Sequence, residues 1–461
     1  MKLTVGEILA ATGGTLLCGR EDIEITGVCL DSRKVEKGDI FVPVIGEKVD
    51  AHRFIQDVLK QGAMASFTSK KEIEKSADKT KALILVPDTI EALQAMAGAY
   101  RSRFTLPIVG ITGSVGKTTT KEMVAAALET KLSVLKTSGN LNGQIGVALM
   151  LLKLEPEHEA AVIEMGMSLV GEMEKLSKLA RPEMAVMTNI GVSHIGQLGS
   201  RENICKEKLR ITDTFSKEKG KLFLNSEDAL LAEVELPKGE RIFYGKGEKS
   251  SFFATDIENI KEQCHFTLHY PGGEERVILN VLGEHNVLNA LAAFAVAAEF
   301  GISPAVAKEG LFCYQPIAMR GQIYEKNGYK IIDDTYNASP DSMKSGVGVL
   351  LDHTELTRRF AVLADVLELG EHSYACHYEV GAYIAALEKE GRRIDVVVTV
   401  GQEAKAIGKA IEEKNPSILL RSFDTNQEAI AYLKENLKEG DGCLIKGSRG
   451  MKTDEIVEAL R

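Results

Sequence analysis

The chain has 461 residues, 44% hydrophobic and 26% charged, with a formal net charge of −10. This is the composition of an ordinary soluble protein of about two to four domains, and it gives no general attraction to nucleic acid. No apolar run approaches the roughly 20 residues of a membrane span. The seven cysteines stand singly, which argues against a disulfide framework or structural zinc and for a reducing cytoplasm.

The N-terminal run M-K-L-T-V-G-E-I-L is interrupted by Glu7, so it reads as the start of a folded domain and not as a signal peptide. Short strands are expected at Ile40–Val44, Ala65–Thr68 and Ala82–Val86, in a first unit of residues 1–84. A stretch with helical apolar spacing, V-P-D-T-I-E-A-L-Q-A-M-A-G-A-Y, then leads into the apolar run Leu106–Ile111.

The most informative segment follows, V-G-I-T-G-S-V-G-K-T-T-T from Val109 to Thr120. It reads as a strand, a glycine turn and a helix over Lys117–Lys131. Such a turn presents backbone N–H groups and the positive end of a helix dipole to a polyphosphate. Gly113, Ser114, Val115 and Gly116 form the turn, Lys117 can reach the β- and γ-phosphates, and the Thr118 hydroxyl, with Thr119 beside it, is placed for Mg²⁺. The motif is shorter than the plain P-loop, because the residue five before Gly116 is Ile111. An ATP-binding enzyme leads; a protein that binds ATP to regulate or assemble is the alternative from another class.

Strands expected at Ala161–Met165, Met184–Ile190 and Lys221–Asn225 alternate with helical stretches to about Tyr314, the pattern of a parallel sheet. Two polar residues fall where strand ends would bring them to the phosphate turn. Glu164 could hold Mg²⁺ through oxygen, and His194 lies in the loop after the next strand. Ile204, Lys208, Ile211 and Phe215, spaced four, three and four apart, share one helix face that is otherwise apolar. A lysine drawn into such a face has a lowered pKa, and its neutral amine can act as a nucleophile or be carboxylated by CO₂. From about Met319 the alternation repeats with strands at Lys330–Asp333, Phe360–Ala364, Ile394–Val400 and Cys443–Ile445. Asp334, Asp365, Gly401 and Lys446 fall at or just past strand ends, where doubly wound sheets hold ligands. The units are therefore 1–84, 85–316 and a Rossmann-like 317–461.

Beyond these local readings, the chain resembles the Mur ligases, the ATP-dependent amide-forming family of peptidoglycan synthesis. The likeness runs through D-S-R-K-V-E-K-G-D-I-F-V-P, T-G-S-V-G-K-T-T-T-K, T-S-G-N-L-N-G-Q-I-G-V, E-M-G-M, T-N-I-G-V-S-H, G-S-R-E-N-I-C-K-E-K, G-E-H-N-V-L-N-A-L-A-A, M-R-G-Q and K-G-S-R-G-M. Y-N-A-S-P-D-S-M and D-V-L-E-L-G-E point to the branch that adds D-alanyl-D-alanine to a UDP-N-acetylmuramoyl-tripeptide.

The resemblance implies an α/β protein of three domains: a small domain for the UDP end, a central ATPase domain and a doubly wound C-terminal domain. It implies Lys117, Lys208 and His194 as catalytic residues, and a carboxylate activated as an acyl phosphate. Two Mg²⁺ ions would be held by Thr118, Glu164, His194 and Lys208, the last as a carbamate made from CO₂. Asn286 and Asn289 match the adenine contacts, Arg320 the γ-phosphate contact and Asp334 the ribose contact. Ser32, Arg33, Asp50 and His52 match the UDP end of the substrate. Asn140 and Asn142 match the loop facing substrate and phosphates, and Asn337, Lys446 and Ser448 the surroundings of the dipeptide. A monomer in the cytoplasm is expected. Ala51, Gly143, Ala148 and Ser339 depart from the family pattern, leaving open another acceptor, as in other Mur-type or folylpolyglutamate-type ligases.

Overall fold

The computed structural model describes residues 1–72 and 78–461 and is built on three larger sheets, with mostly parallel strands flanked by helices, and a two-stranded antiparallel ribbon of Leu3–Thr4 with Glu24–Ile25. In the first, the strand order is Thr15–Cys18, Ala82–Leu85, Ala65–Thr68, Asp39–Phe41 and Gly27–Cys29. The strand expected at Ile40–Val44 instead ends at Phe41. Pro43 lacks the N–H that a longer ladder would need.

The helix Thr89–Arg101 is capped by Asp88, whose carboxylate accepts from the N–H groups of Ile90 and Glu91. It packs on helix Val5–Thr12 on one side and helix Gln144–Leu151 on the other, so it bridges the first unit and the central one. Its last residue, Arg101, is buried and donates to the carbonyls of Ala180, Phe104 and Leu106, fixing the entry into the central sheet.

That sheet has nine strands, in the order Gly273–Leu279, Gln263–Tyr270, Phe252–Ile260, Glu240–Gly245, Lys221–Asn225, Met184–Met187, Ile108–Thr112, Ala160–Glu164 and Val134–Lys136. The expected parallel arrangement holds from Val134–Lys136 to Phe252–Ile260, and the last three strands form an antiparallel ladder. The physical reason lies in the sequence: Cys264, Phe266 and Leu268 point inward at every second residue, a strand period and not a helical one. Helices Lys117–Glu129 and Glu284–Glu299 cover one face.

Pairing Glu164 with Ile111 puts its carboxylate at the level of the glycine turn. Gly110 lets Ile211 close on the same strand, since a Cβ there would stand 2.9 Å from Ile211 Cδ1 and 3.0 Å from Met165 Sδ. The helix bearing Lys208, Arg201–Leu209, tightens into a 3₁₀ turn at Arg210–Thr212, yet Ile204, Lys208, Ile211 and Phe215 are all buried while Lys206 is exposed.

The third sheet runs Gln322–Lys326, Tyr329–Asp333, Gly442–Lys446, Arg359–Ala364, Val396–Val400 and Leu419–Phe423. It is parallel apart from its edge hairpin. Ser339, one of the departures from the family pattern, caps helix Pro340–Asp352 by accepting from the Ser342 N–H.

Ile211 pins the Lys208 helix to the central sheet, so Ile211→Ala is expected to cost about 3 kcal/mol. Urea denaturation of the full chain should show a lower midpoint, and an unchanged midpoint would contradict this packing.

Candidate active site

The glycine turn is shaped by close approach. Gly113 has φ 146° and Gly116 φ 85°. A Cβ on Gly113 would lie 1.9 Å from Thr188 Oγ1, and one on Gly116 3.1 Å from Asn289 Oδ1. Thr188 and Asn189, just past the neighbouring strand, hold the turn: Thr188 Oγ1 donates to Val115 O (2.6 Å), and the Val115 N–H donates to Asn189 Oδ1 (2.9 Å). Lys117 Nζ donates to Gly113 O (2.9 Å) and Ser114 O (3.2 Å). Lys117 is half-buried and lines the cavity described below. Burial lowers its pKa, Glu164 opposes that and Arg320 adds to it.

Glu164 is 1% exposed. Its Oε1 accepts from Asn142 Nδ2 (2.7 Å), its backbone N–H donates to Thr137 Oγ1 (2.9 Å), and its Oε2 is buried with no partner among the described residues. A buried carboxylate oxygen without a donor is uncommon and costly. An oxygen ligand for a hard cation such as Mg²⁺ fits this position.

His194 has a left-handed backbone, φ 63°, and its Nδ1 lies 2.9 Å from Glu368 Oε2 without hydrogen-bond alignment. Burial lowers the pKa of the ring, Glu368 raises it, and Lys208 and Lys117 lower it further. The neutral imidazole, which these effects favour, is the form that binds a metal.

Lys208 is 1% exposed, and its ammonium has no hydrogen-bond or ion-pair partner among the described residues. Burial, then the charge of Lys117, holds its pKa well below the usual lysine value. Glu207 beside it is occupied elsewhere, accepting from the N–H groups of Gly171 (2.9 Å) and Met173 (3.0 Å).

Across from the glycine turn stands the third domain. The Arg320 guanidinium lies 3.9 Å from the centre of the Tyr336 ring. Lys446, 2% exposed, pairs with Asp334 and also donates to Asn337 O (3.1 Å). Burial raises the Asp334 pKa, while Lys446 and Arg320 oppose it. Between these walls is a cavity of about 740 Å³. Its lining includes Ser114–Thr119, Asn142, Glu164 and His194 together with the apolar Val281, Leu282, Ile323, Ile332, Val349 and Leu444.

Asn286, Asn289, Arg320, Asp334, Asn337 and Lys446 also line this cavity. Asn289 is committed as well to structure, accepting from Thr120 Oγ1 (2.9 Å). Other expected residues stand off the wall. Gly113 and Lys208 lie behind it, and Asn140 is exposed on its loop. Ser448 is buried, its hydroxyl accepting from the Leu367 N–H (2.9 Å).

Ser32, Arg33, Asp50 and His52 lie in the first domain. Arg33 grips Asp31 through two contacts of 2.8 Å and holds that carboxylate well below its usual pKa. Asp50 meets His52 Nδ1 at 2.7 Å and pairs with Lys70, while His52 Nε2 accepts from the Ser69 N–H (3.1 Å). Asp50 and His52, with Lys48, Val49, Arg53 and Lys70, line a shallow pocket of about 310 Å³ that Ser32 and Arg33 do not border.

The sequence reading missed the supports Thr137, Thr188, Asn189 and Glu368, which act across distant segments. It also missed His285, which stands next to Asn286 on the cavity wall and whose pKa is pushed down to about 4 by burial and Lys446.

Known proteins carry the same architecture. The Mur ligase middle-domain model matches residues 111–297, the Mur ligase glutamate-ligase-domain model 319–449 and the Mur ligase catalytic-domain model 24–101. The UDP-N-acetylmuramoyl-tripeptide–D-alanyl-D-alanine ligase of Bacillus subtilis is 38% identical over 100% of this chain and 98% of its own. The enzyme of the same name from Escherichia coli is 34% identical over 95% and 94%. A crystal structure of MurF from Acinetobacter baumannii superposes with a TM-score of 0.90 at 33% identity, covering 100% of this chain and 99% of that one. MurF from Thermotoga maritima in complex with ADP gives 0.83 at 29% identity, covering 94% and 96%.

The depressed His285 pKa has a consequence for acid stability. An unfolded histidine near 6.5 takes up its proton before the folded one near 4, so the contribution is present above pH 6.5 and is lost as pH falls toward 4. Discounted for the ring's partial exposure, the loss is roughly 2 kcal/mol. Wild type should lose that much more stability over this window than His285→Gln; parallel pH profiles would contradict it.

Proposed function

The chain belongs to the Mur ligase family, and we propose that it joins D-alanyl-D-alanine to UDP-N-acetylmuramoyl-tripeptide in an ATP-dependent ligation. The curated relatives that carry this name match it from end to end. The observation that supports the chemistry is one cavity lined by the glycine turn, by Glu164, one of whose oxygens has no partner among the described residues, and by Arg320 and Lys446 of the third domain.

A peptide carboxylate is inert to an amine because its leaving group is poor. Transfer of the γ-phosphoryl group from ATP gives an acyl phosphate and ADP. The dipeptide amine then attacks the carbonyl, and the tetrahedral intermediate collapses to an amide and inorganic phosphate. Both partners of the first step are anionic, so their approach is repelled. Lys117 and Arg320 bring positive charge to the transferring group, stabilising it most in the transition state. Bound Mg²⁺, two ions in this reading, supplies further charge neutralisation; Thr118, Glu164 and His194 would hold it together with a carbamate on Lys208.

The neutral Lys208 amine is the form that can take up CO₂, and the carbamate would turn an unpaired buried base into an oxygen ligand. Asn286 and Asn289 would border the adenine and Asp334 the ribose. Ser32, Arg33, Asp50 and His52 would take the UDP end. Asn140 and Asn142 would face substrate and phosphates, and Asn337 and Lys446, with Ser448 behind them, the dipeptide. The domains in this reading are 1–84, 85–316 and 317–461, in a cytoplasmic monomer.

Phosphate release should require UDP-tripeptide and D-alanyl-D-alanine together. Release driven by a free amino acid and not by the dipeptide would assign the chain to another acceptor. Lys208→Ala should lower ligation by at least about 100-fold, a loss of roughly 3 kcal/mol of transition-state stabilisation, with partial rescue by short carboxylic acids. Ligation by Lys208→Ala at the normal rate would overturn the carbamate assignment.

A further inference from the structure

The loop that carries His194 is also the seat on which the third domain rests. A Cβ on Gly191 would stand 2.3 Å from Asp341 Oδ2, and one on Gly196 would stand 3.0 Å from Glu368 O and 3.3 Å from Gly370 N. Between these two close approaches, His194 Nδ1 lies 2.9 Å from Glu368 Oε2.

The backbones on both sides of that contact are unusual. His194 has φ 63° and Glu368 φ 70°, a left-handed conformation that residues with side chains rarely adopt. Such conformations persist where the surroundings over-determine them, and they gather at functional sites. An ordinary surface ion pair would need neither strained backbone nor glycines on both flanks. Glu368 is also half-exposed, its side chain 58% accessible, so packing alone does not account for its position.

We infer that Glu368 is a positioning residue for His194: docking of the third domain brings its carboxylate within reach of Nδ1, so that a small turn of the ring lets Nδ1–H donate to it and leaves Nε2 as the unprotonated nitrogen available to a metal. A metal-bound histidine commonly donates its other N–H to a carboxylate, which fixes both tautomer and ring orientation. Here the two halves of that arrangement come from different domains, so the metal site is complete only when the third domain is seated. The inference rests on the reading of His194 as a metal ligand.

Nitrogen-15 NMR of the histidine-labelled full chain reads the tautomer directly, with the His194 signal identified from His194→Asn. The wild-type ring should carry its proton on Nδ1. Glu368→Ala should lose that preference and bind Mn²⁺, measured with a non-hydrolysable ATP analogue, about tenfold more weakly. Glu368→Gln retains an oxygen acceptor and should keep the wild-type tautomer. An unchanged tautomer in Glu368→Ala would overturn the inference, and so would unchanged Mn²⁺ affinity despite a changed tautomer. If His194→Asn also binds Mn²⁺ as wild type does, the failure lies in the metal assignment.

Discussion

Two ionisable side chains, Glu164 and Lys208, are each 1% exposed, and neither forms an ion pair among the described residues. Removing a charge from water without a counter-charge costs several kcal/mol even after the protein relaxes. Folded proteins usually avoid this by pairing the groups or by neutralising one of them. Here, among the described residues, the partners of Glu164 are the Asn142 amide on one oxygen and nothing on the other. Burial and the charge of Lys117 hold the Lys208 pKa well below the lysine range. The site therefore keeps its charge capacity for groups that arrive with the substrates, and much of the surrounding fold serves to maintain that separation.

The parallel strands do most of this. Register places Glu164 beside Ile111 and Met187 beside Thr112, so successive strand ends deliver the carboxylate, the glycine turn and the Thr188–Asn189 clamp to one edge. Glycines set how closely the layers approach. At Gly110 the missing side chain admits Ile211, which brings the Lys208 helix down onto the phosphate strand. At Gly191 and Gly196 the same device admits the third domain. Catalytic geometry and interdomain docking thus share one loop.

Local chemistry was legible from the sequence where a short segment contained the whole signal. The strand, turn and helix around Lys117 depend on residues within one stretch, and the burial of Lys208 followed from helical spacing, even though the helix tightens after Leu209. Contacts between distant segments were not legible. Nothing near His194 in the chain announces Glu368, and nothing near Ser114 announces Asn189, because both pairs are created by packing. The antiparallel ladder over 252–279 was missed for a different reason. Its inward Cys264, Phe266 and Leu268 carry the period of a strand, but the surrounding β/α alternation dominated the pattern. Ser448 shows the opposite failure, since a position just past a strand end does not guarantee a side chain that reaches the cavity.

The central claim is that ATP converts an unreactive carboxylate into an acyl phosphate before the amine attacks. Isotopic labelling tests it most directly. With heavy oxygen placed in the donor carboxylate of the UDP-tripeptide, one labelled atom should appear in each inorganic phosphate released during ligation. Phosphate released without label, with the amide formed at the normal rate, would show that the carboxylate never bonded to phosphorus and would contradict the account.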